Sequence, residues 1–142
     1  MKYIIIILSL FLFSSASADK RMENLTIVLQ RVAAFHVIYK IVTGKIPRYT
    51  ITSTIRNESH NKTVGGVPNS AHLNGKAVDI KYDAEFLKWS RYMQKVKPKT
   101  LTKYLEKIDL YIIDIGHSQK FIHYTIREPD SKRRMFAPWK GS

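Results

Sequence analysis

The chain of 142 residues contains no cysteine. Disulfides are therefore excluded, and any bound metal must be held by His, Asp or Glu. Acidic residues are scarce, with 11 Asp and Glu against 24 Lys and Arg, a formal net charge of +13. Such an excess favours anionic surfaces. The basic residues are spread along the chain rather than gathered with aromatics on one segment, which argues against a nucleic-acid interface. No ordinary membrane span is evident: Tyr3–Phe13 runs without a charge but is too short to cross a bilayer. Preceded by Lys2 and followed by Ala16-Ser17-Ala18, that run has the form of a secretory signal peptide cleaved after Ala18. Membrane contact is then expected through this segment alone, and the domain is expected to be periplasmic or secreted. Internal repeats and low-complexity tracts are also missing after residue 18.

What remains, residues 19–142, is the length of one modest domain with one core. Loss of Lys2 lowers the formal charge only from +13 to +12, and an exported protein of that charge suits the anionic polymers of a bacterial envelope. Asn24, Asn57 and Asn61 begin formal glycosylation sequons. Two of these fall in a segment expected to meet substrate, so they are read as coincidental.

Residues 22–40 place Leu25, Val28, Leu29, Val32 and His36 at helical spacing, with His36 as a core or boundary histidine. Gly44 and Pro47 end that helix. Arg48 to Ile55 alternates, with Tyr49, Ile51 and Ile55 opposite Thr50, Thr52 and Thr54, which predicts a half-buried strand. Residues 57–75 are polar and carry Gly65-Gly66 and Pro68, the composition of a long loop, and long loops in compact domains tend to carry function. Ala77–Tyr82 reads as a second strand. Asp83 can cap a helix to about Lys95 with Phe86, Trp89 and Met93 inward, and Pro98 ends that segment. A short helix over Thr100–Lys107 turns Leu101, Tyr104, Leu105 and Ile108 inward. Leu110–Ile115 and Lys120–Ile126 are strand-like around a Gly116-His117-Ser118 turn. This order predicts an α+β fold, a small antiparallel sheet with helices packed on it.

The segment Ser70-Ala71-His72-Leu73-Asn74-Gly75-Lys76-Ala77-Val78-Asp79 fits the pattern Ser-x-His-x-x-Gly-x-Ala-x-Asp at every fixed position. Here the sequence resembles the zinc D-Ala-D-Ala carboxypeptidase, or LAS, family of peptidoglycan metallopeptidases, and among them its small phage-type members. Thr52-Ser53-Thr54-Ile55-Arg56 and Asn61 to Ser70 are similar to the family's approach to the motif. Phe121-Ile122-His123-Tyr124-Thr125 is similar to its final histidine segment, and Arg133-Arg134 to a basic pair beyond it. The similarity covers roughly residues 48 to 136.

The resemblance implies a compact mixed fold of the hedgehog and D-Ala-D-Ala metallopeptidase type, whose sheet carries a zinc held by His72, Asp79 and His123. Two imidazoles and a carboxylate leave a fourth position for water, whose pKa zinc lowers to about 7. No other cofactor is implied. Arg56 corresponds to an arginine that polarises the scissile carbonyl or holds substrate, a role worth a few kcal/mol of barrier. Larger members carry an acid three residues before the final histidine or two after it, and those positions here are Lys120 and Thr125. The counterpart expected in this chain is Asp114, on the strand entering the hairpin, with His117 as a substitute proton carrier. Ser70 is expected to shape the ligand loop, and Tyr124, alternating away from His123, to pack. His60 and Glu58 lie in the same loop as charged, solvated residues within reach of substrate.

The expected function is an exported zinc metallopeptidase, acting as a monomer on amide bonds of peptidoglycan stem peptides. It would be a D-Ala-D-Ala carboxypeptidase or a related endopeptidase. A weakened or inactive member serving as a cell-wall binding module is the alternative. A cationic envelope-disrupting protein using the basic tail Lys132–Trp139 is a third reading.

Overall fold

The computed structural model describes residues 20–115 and 121–126. Residues 1–18, expected as a signal peptide, residues 116–118, expected as a turn with His117, Arg133-Arg134 and the Lys132–Trp139 tail lie outside the described residues. Helix α1 spans Lys20–Thr43 and is followed by strand β1, Tyr49–Ser53. A short helix α2, Glu58–Thr63, and a single 3-10 turn, Ala71–Asn74, lead into β2, Ala77–Tyr82. Helices α3, Ala84–Val96, and α4, Pro98–Ile108, then precede β3, Tyr111–Ile115, and β4, Phe121–Thr125. The four strands form one antiparallel sheet in the order β1-β2-β4-β3, so the α+β architecture expected from the element order is the one observed.

One face of this sheet makes the core. Val78, Ile80 and Tyr82 of β2, Ile122 and Tyr124 of β4, and Ile112 of β3 pack with Val28, Val32, Phe35 and Tyr39 of α1. Phe86, Leu87 and Met93 of α3 and Leu101 and Leu105 of α4 close it. Phe35 is fully buried at the centre, edge-on to both Phe86 and Tyr124, and truncating it to alanine should cost about 3–5 kcal/mol. Asp83 caps α3 by accepting the Phe86 N–H at 2.9 Å.

Three expectations are corrected. The buried stripe of α1 is Asn24, Val28, Val32, Phe35 and Tyr39; it shares Val28 and Val32 with the expected stripe but is rotated so that Leu25, Leu29 and His36 lie at its border. The helix is apolar on nearly every side, with Val37 and Ile41 exposed, so periodicity could not choose its inner face. By length and composition α1 could cross a membrane, yet its inner stripe is packed on the sheet. Strand β1 is an exposed edge rather than half-buried, because α1 covers the central strands and leaves Tyr49 and Ile51 in solvent. The polar segment 57–75 is not a continuous loop but holds α2 and the 3-10 turn. Pro98 opens α4 at its first turn, where its missing N–H costs nothing.

Candidate metal centre

The opposite face of the sheet carries the chemistry. Successive side chains on a strand alternate faces, so Asp79, between buried Val78 and Ile80, points away from the core. His123, between Ile122 and Tyr124, does the same. The register sets Asp79 directly opposite His123, which brings their Cβ atoms to about 4.5–5.5 Å. His123 Nδ1 lies 2.6 Å from Asp79 Oδ1.

His72 enters from the 3-10 turn. Ser70 caps that turn by accepting the His72 N–H, the local shaping role expected of it. Gly75 ends it with a left-handed backbone, φ +68, and passes so close to α1 that no side chain fits there. Asn24 of α1, otherwise notable only as a sequon, is buried and donates its Nδ2 to Asn74 O at 2.9 Å. The ligand turn is thus clamped against the first turns of α1.

His72 Nδ1 sits 2.6 Å from the Thr54 carbonyl oxygen. A carbonyl only accepts, so Nδ1 carries the proton and Nε2 is left with its lone pair or a second proton. That Nε2 is buried without a hydrogen-bond partner, 3.3 Å from Asp79 Oδ2. With Nε2 unprotonated, a lone pair and a carboxylate oxygen at this separation call for a cation between them. Among the described residues His72, Asp79 and His123 form a group able to hold a metal, with ligand atoms all within 4.8 Å of one another. The donor set, two imidazole nitrogens and one carboxylate without thiolate, fits zinc in a hydrolytic site.

Arg56 completes the cluster. Its Nη2 donates to Asp79 Oδ2 at 2.8 Å and its Nε to Ser53 Oγ at 2.9 Å. Burial pushes the Asp79 carboxyl up, but the hydrogen bond and charge of His123 outweigh it and hold Asp79 well below the usual carboxylate range. The Arg56 cation acts in the same direction. Asp114 lies opposite His123 in the β3–β4 register, just past a bulge after Ile112, and its side chain lies outside those described. Tyr124 is fully buried in the core, as expected. His60, on α2, lines an open cleft of about 270 Å³ with Ile51, Thr52, Ser53, Thr54, Ile55 and Arg56. Glu58 sits exposed at the start of α2.

A family profile for Peptidase M15 matches residues 20–125. The chain belongs to the M15 peptidase family. It is a member of the zinc D-Ala-D-Ala carboxypeptidase, LAS-type group, whose members are metallopeptidases of the cell-wall-acting kind. The match includes α1, the ligand turn, β2 and β4, and so contains every residue of the His72, Asp79, His123 group. No curated protein and no solved structure matches the chain. Three contributors to the centre were not assigned a role by the sequence: the Thr54 carbonyl and Ser53, quoted only as part of the segment leading to Arg56, and Asn24 behind the ligand turn. The Thr54 contact is made by backbone, which any residue supplies.

Proposed function

We propose that this M15 peptidase is an exported zinc enzyme hydrolysing amide bonds in peptidoglycan stem peptides, as a D-Ala-D-Ala carboxypeptidase or a related endopeptidase. The observation that carries the reading is the buried, partnerless Nε2 of His72 facing the Asp79 carboxylate, with His123 Nδ1 on the other oxygen. Export is supported by Lys2, the uncharged Tyr3–Phe13 run and Ala16-Ser17-Ala18. A basic chain suits a polyanionic wall.

His72, Asp79 and His123 would hold the zinc, which when bound supplies Lewis-acid polarisation of a carbonyl and a lowered pKa for water. The Thr54 carbonyl keeps His72 in the tautomer that offers Nε2. Arg56, half of whose guanidinium is tied to Asp79 and Ser53, keeps a fixed cation beside the ligands, where negative charge develops on the carbonyl oxygen during attack. Asp114, across from His123 in the sheet register, is assigned as the group that takes the proton of water and returns it to the leaving amine.

The test is digestion of purified peptidoglycan and synthetic stem pentapeptide by zinc-loaded protein, with the cleaved bond identified by mass. Cleavage should stop on chelation and return with zinc. Asp114→Asn should lose activity while still binding zinc. Release of no new amine from any wall substrate by zinc-loaded protein would refute the peptidase reading.

A further inference from the structure

Strand β1 is an edge of the sheet, next to the Asp79 strand β2, and no described residue pairs with its outer side. Its residues Tyr49, Thr50, Ile51 and Thr52 are exposed. An exposed, β-branched edge is normally blunted or covered, because it is a template for another extended chain. The direction of its free groups follows from the ladder. Arg48 O accepts the Asp83 N–H at 3.0 Å, and residues 49–51 pair in register with 82–80. Amides alternate sides along an antiparallel strand, so Thr50 faces β2 while Tyr49 and Ile51 turn their N–H and C=O outward.

Beyond Ile51 the strand bulges, and its continuation is the part that builds the centre. Thr52 Oγ1 donates to Asp79 O, Thr54 O accepts from His72, and Arg56 reaches Asp79. The cleft follows the same run from Ile51 to Arg56, with His60 among its lining residues. A chain lying along this edge is therefore led toward the metal ligands, past the Arg56 cation and the His60 imidazole.

We infer that the outer edge of β1 is a substrate-docking strand, on which an extended peptide pairs its main chain with Ile51 and so presents its amide bond to the centre. The inference rests on the peptidase reading above. Pairing through the main chain gives affinity without consulting side chains, so L- and D-residues can both supply the N–H and C=O. The Arg56 and His60 side chains favour a peptide bearing carboxylates.

Two measurements on the zinc-loaded wild-type protein separate this inference from the reading beneath it. Amide hydrogen exchange is followed at Tyr49 and Ile51 with and without a non-hydrolysable phosphinate analogue of a stem pentapeptide. The Ile51 amide should slow about tenfold or more on binding. In parallel, hydrolysis is compared for the parent pentapeptide and versions N-methylated at one backbone amide at a time. One methyl position, the one opposite Ile51, should lower kcat/KM about five- to tenfold by removing a single hydrogen bond. Hydrolysis of the parent with unchanged Ile51 exchange and no position-dependent methyl effect overturns the docking strand and leaves the peptidase intact. Slowed exchange at Ile51 without hydrolysis of any stem peptide upholds the docking edge and overturns the peptidase reading.

Discussion

Gly75 offers the sharpest test of how the ligand turn is held. It has φ +68, and a Cβ built on it would collide with the Arg21 carbonyl oxygen and lie 2.8 Å from Arg21 C and 3.1 Å from Arg21 Cα. Those are backbone atoms of α1, which cannot swing aside as a side chain would. Gly75→Ala therefore pays about 1–2 kcal/mol for a left-handed alanine. Displacing the first turn of α1 adds about 1–3 kcal/mol, as in other overpacked sites. Gly44 supplies an internal control, with φ +73 and nothing within 4 Å of its Cβ position. Gly44→Ala should cost only about 1 kcal/mol, reduced by the entropy alanine removes from the unfolded chain. In urea titrations Gly75→Ala should thus fall about 1–3 kcal/mol below Gly44→Ala, roughly 5–10 °C in Tm for a domain of this size. Gly75 N also donates to His72 O at 3.2 Å, so the displacement reaches the ligand. Zinc affinity, measured by chelator competition, should drop about 10- to 100-fold, as when other supporting contacts of metal ligands are lost. Equal stability losses for the two variants, with zinc affinity unchanged, would show that α1 does not press on the turn.

Zinc at one hundred times its Kd should stabilise the wild type by about 2.7 kcal/mol, and His72→Ala should abolish that shift in thermal melts; an unchanged shift would place the ion elsewhere. Arg56→Met should lower zinc affinity about 10- to 100-fold through its lost bond to Asp79 and, at saturating zinc, lower kcat about 10²-fold; kcat restored by saturating zinc would mean that Arg56 acts only through Asp79 and not on substrate. His36, bonded to the Tyr82 hydroxyl at 2.6 Å, is held neutral by burial, which lowers its pKa from 6.5 to about 4. A lowered histidine contributes stability that is fully present above pH 6.5 and is lost as pH falls toward 4. The full shift corresponds to about 3 kcal/mol, discounted to roughly 1–2 because the ring is partly exposed. His36→Gln should flatten the stability profile between pH 7 and pH 4, and identical slopes in the two proteins would refute the assignment.

Local chemistry made much of this protein legible in its sequence. Asp83 announced α3 through its side chain, alternation in Arg48–Ile55 announced β1, and the 70–79 pattern named His72 and Asp79 before any fold was known. These signals are local: a cap, a period of two, a turn that needs glycine. What depended on contacts between distant segments was not readable. The inner face of α1 was decided by the sheet, because a helix apolar on all sides has no preferred face until something packs on it. The exposure of β1 was decided by its place at the edge, which its alternating pattern shares with a buried strand. Only the pairing of β2 with β4 sets His123 opposite Asp79, 44 residues away. Only the folded chain brings the Thr54 carbonyl, Ser53 and Asn24 to support the ligands, since a backbone oxygen or a common polar side chain acquires that meaning from where the rest of the molecule puts it.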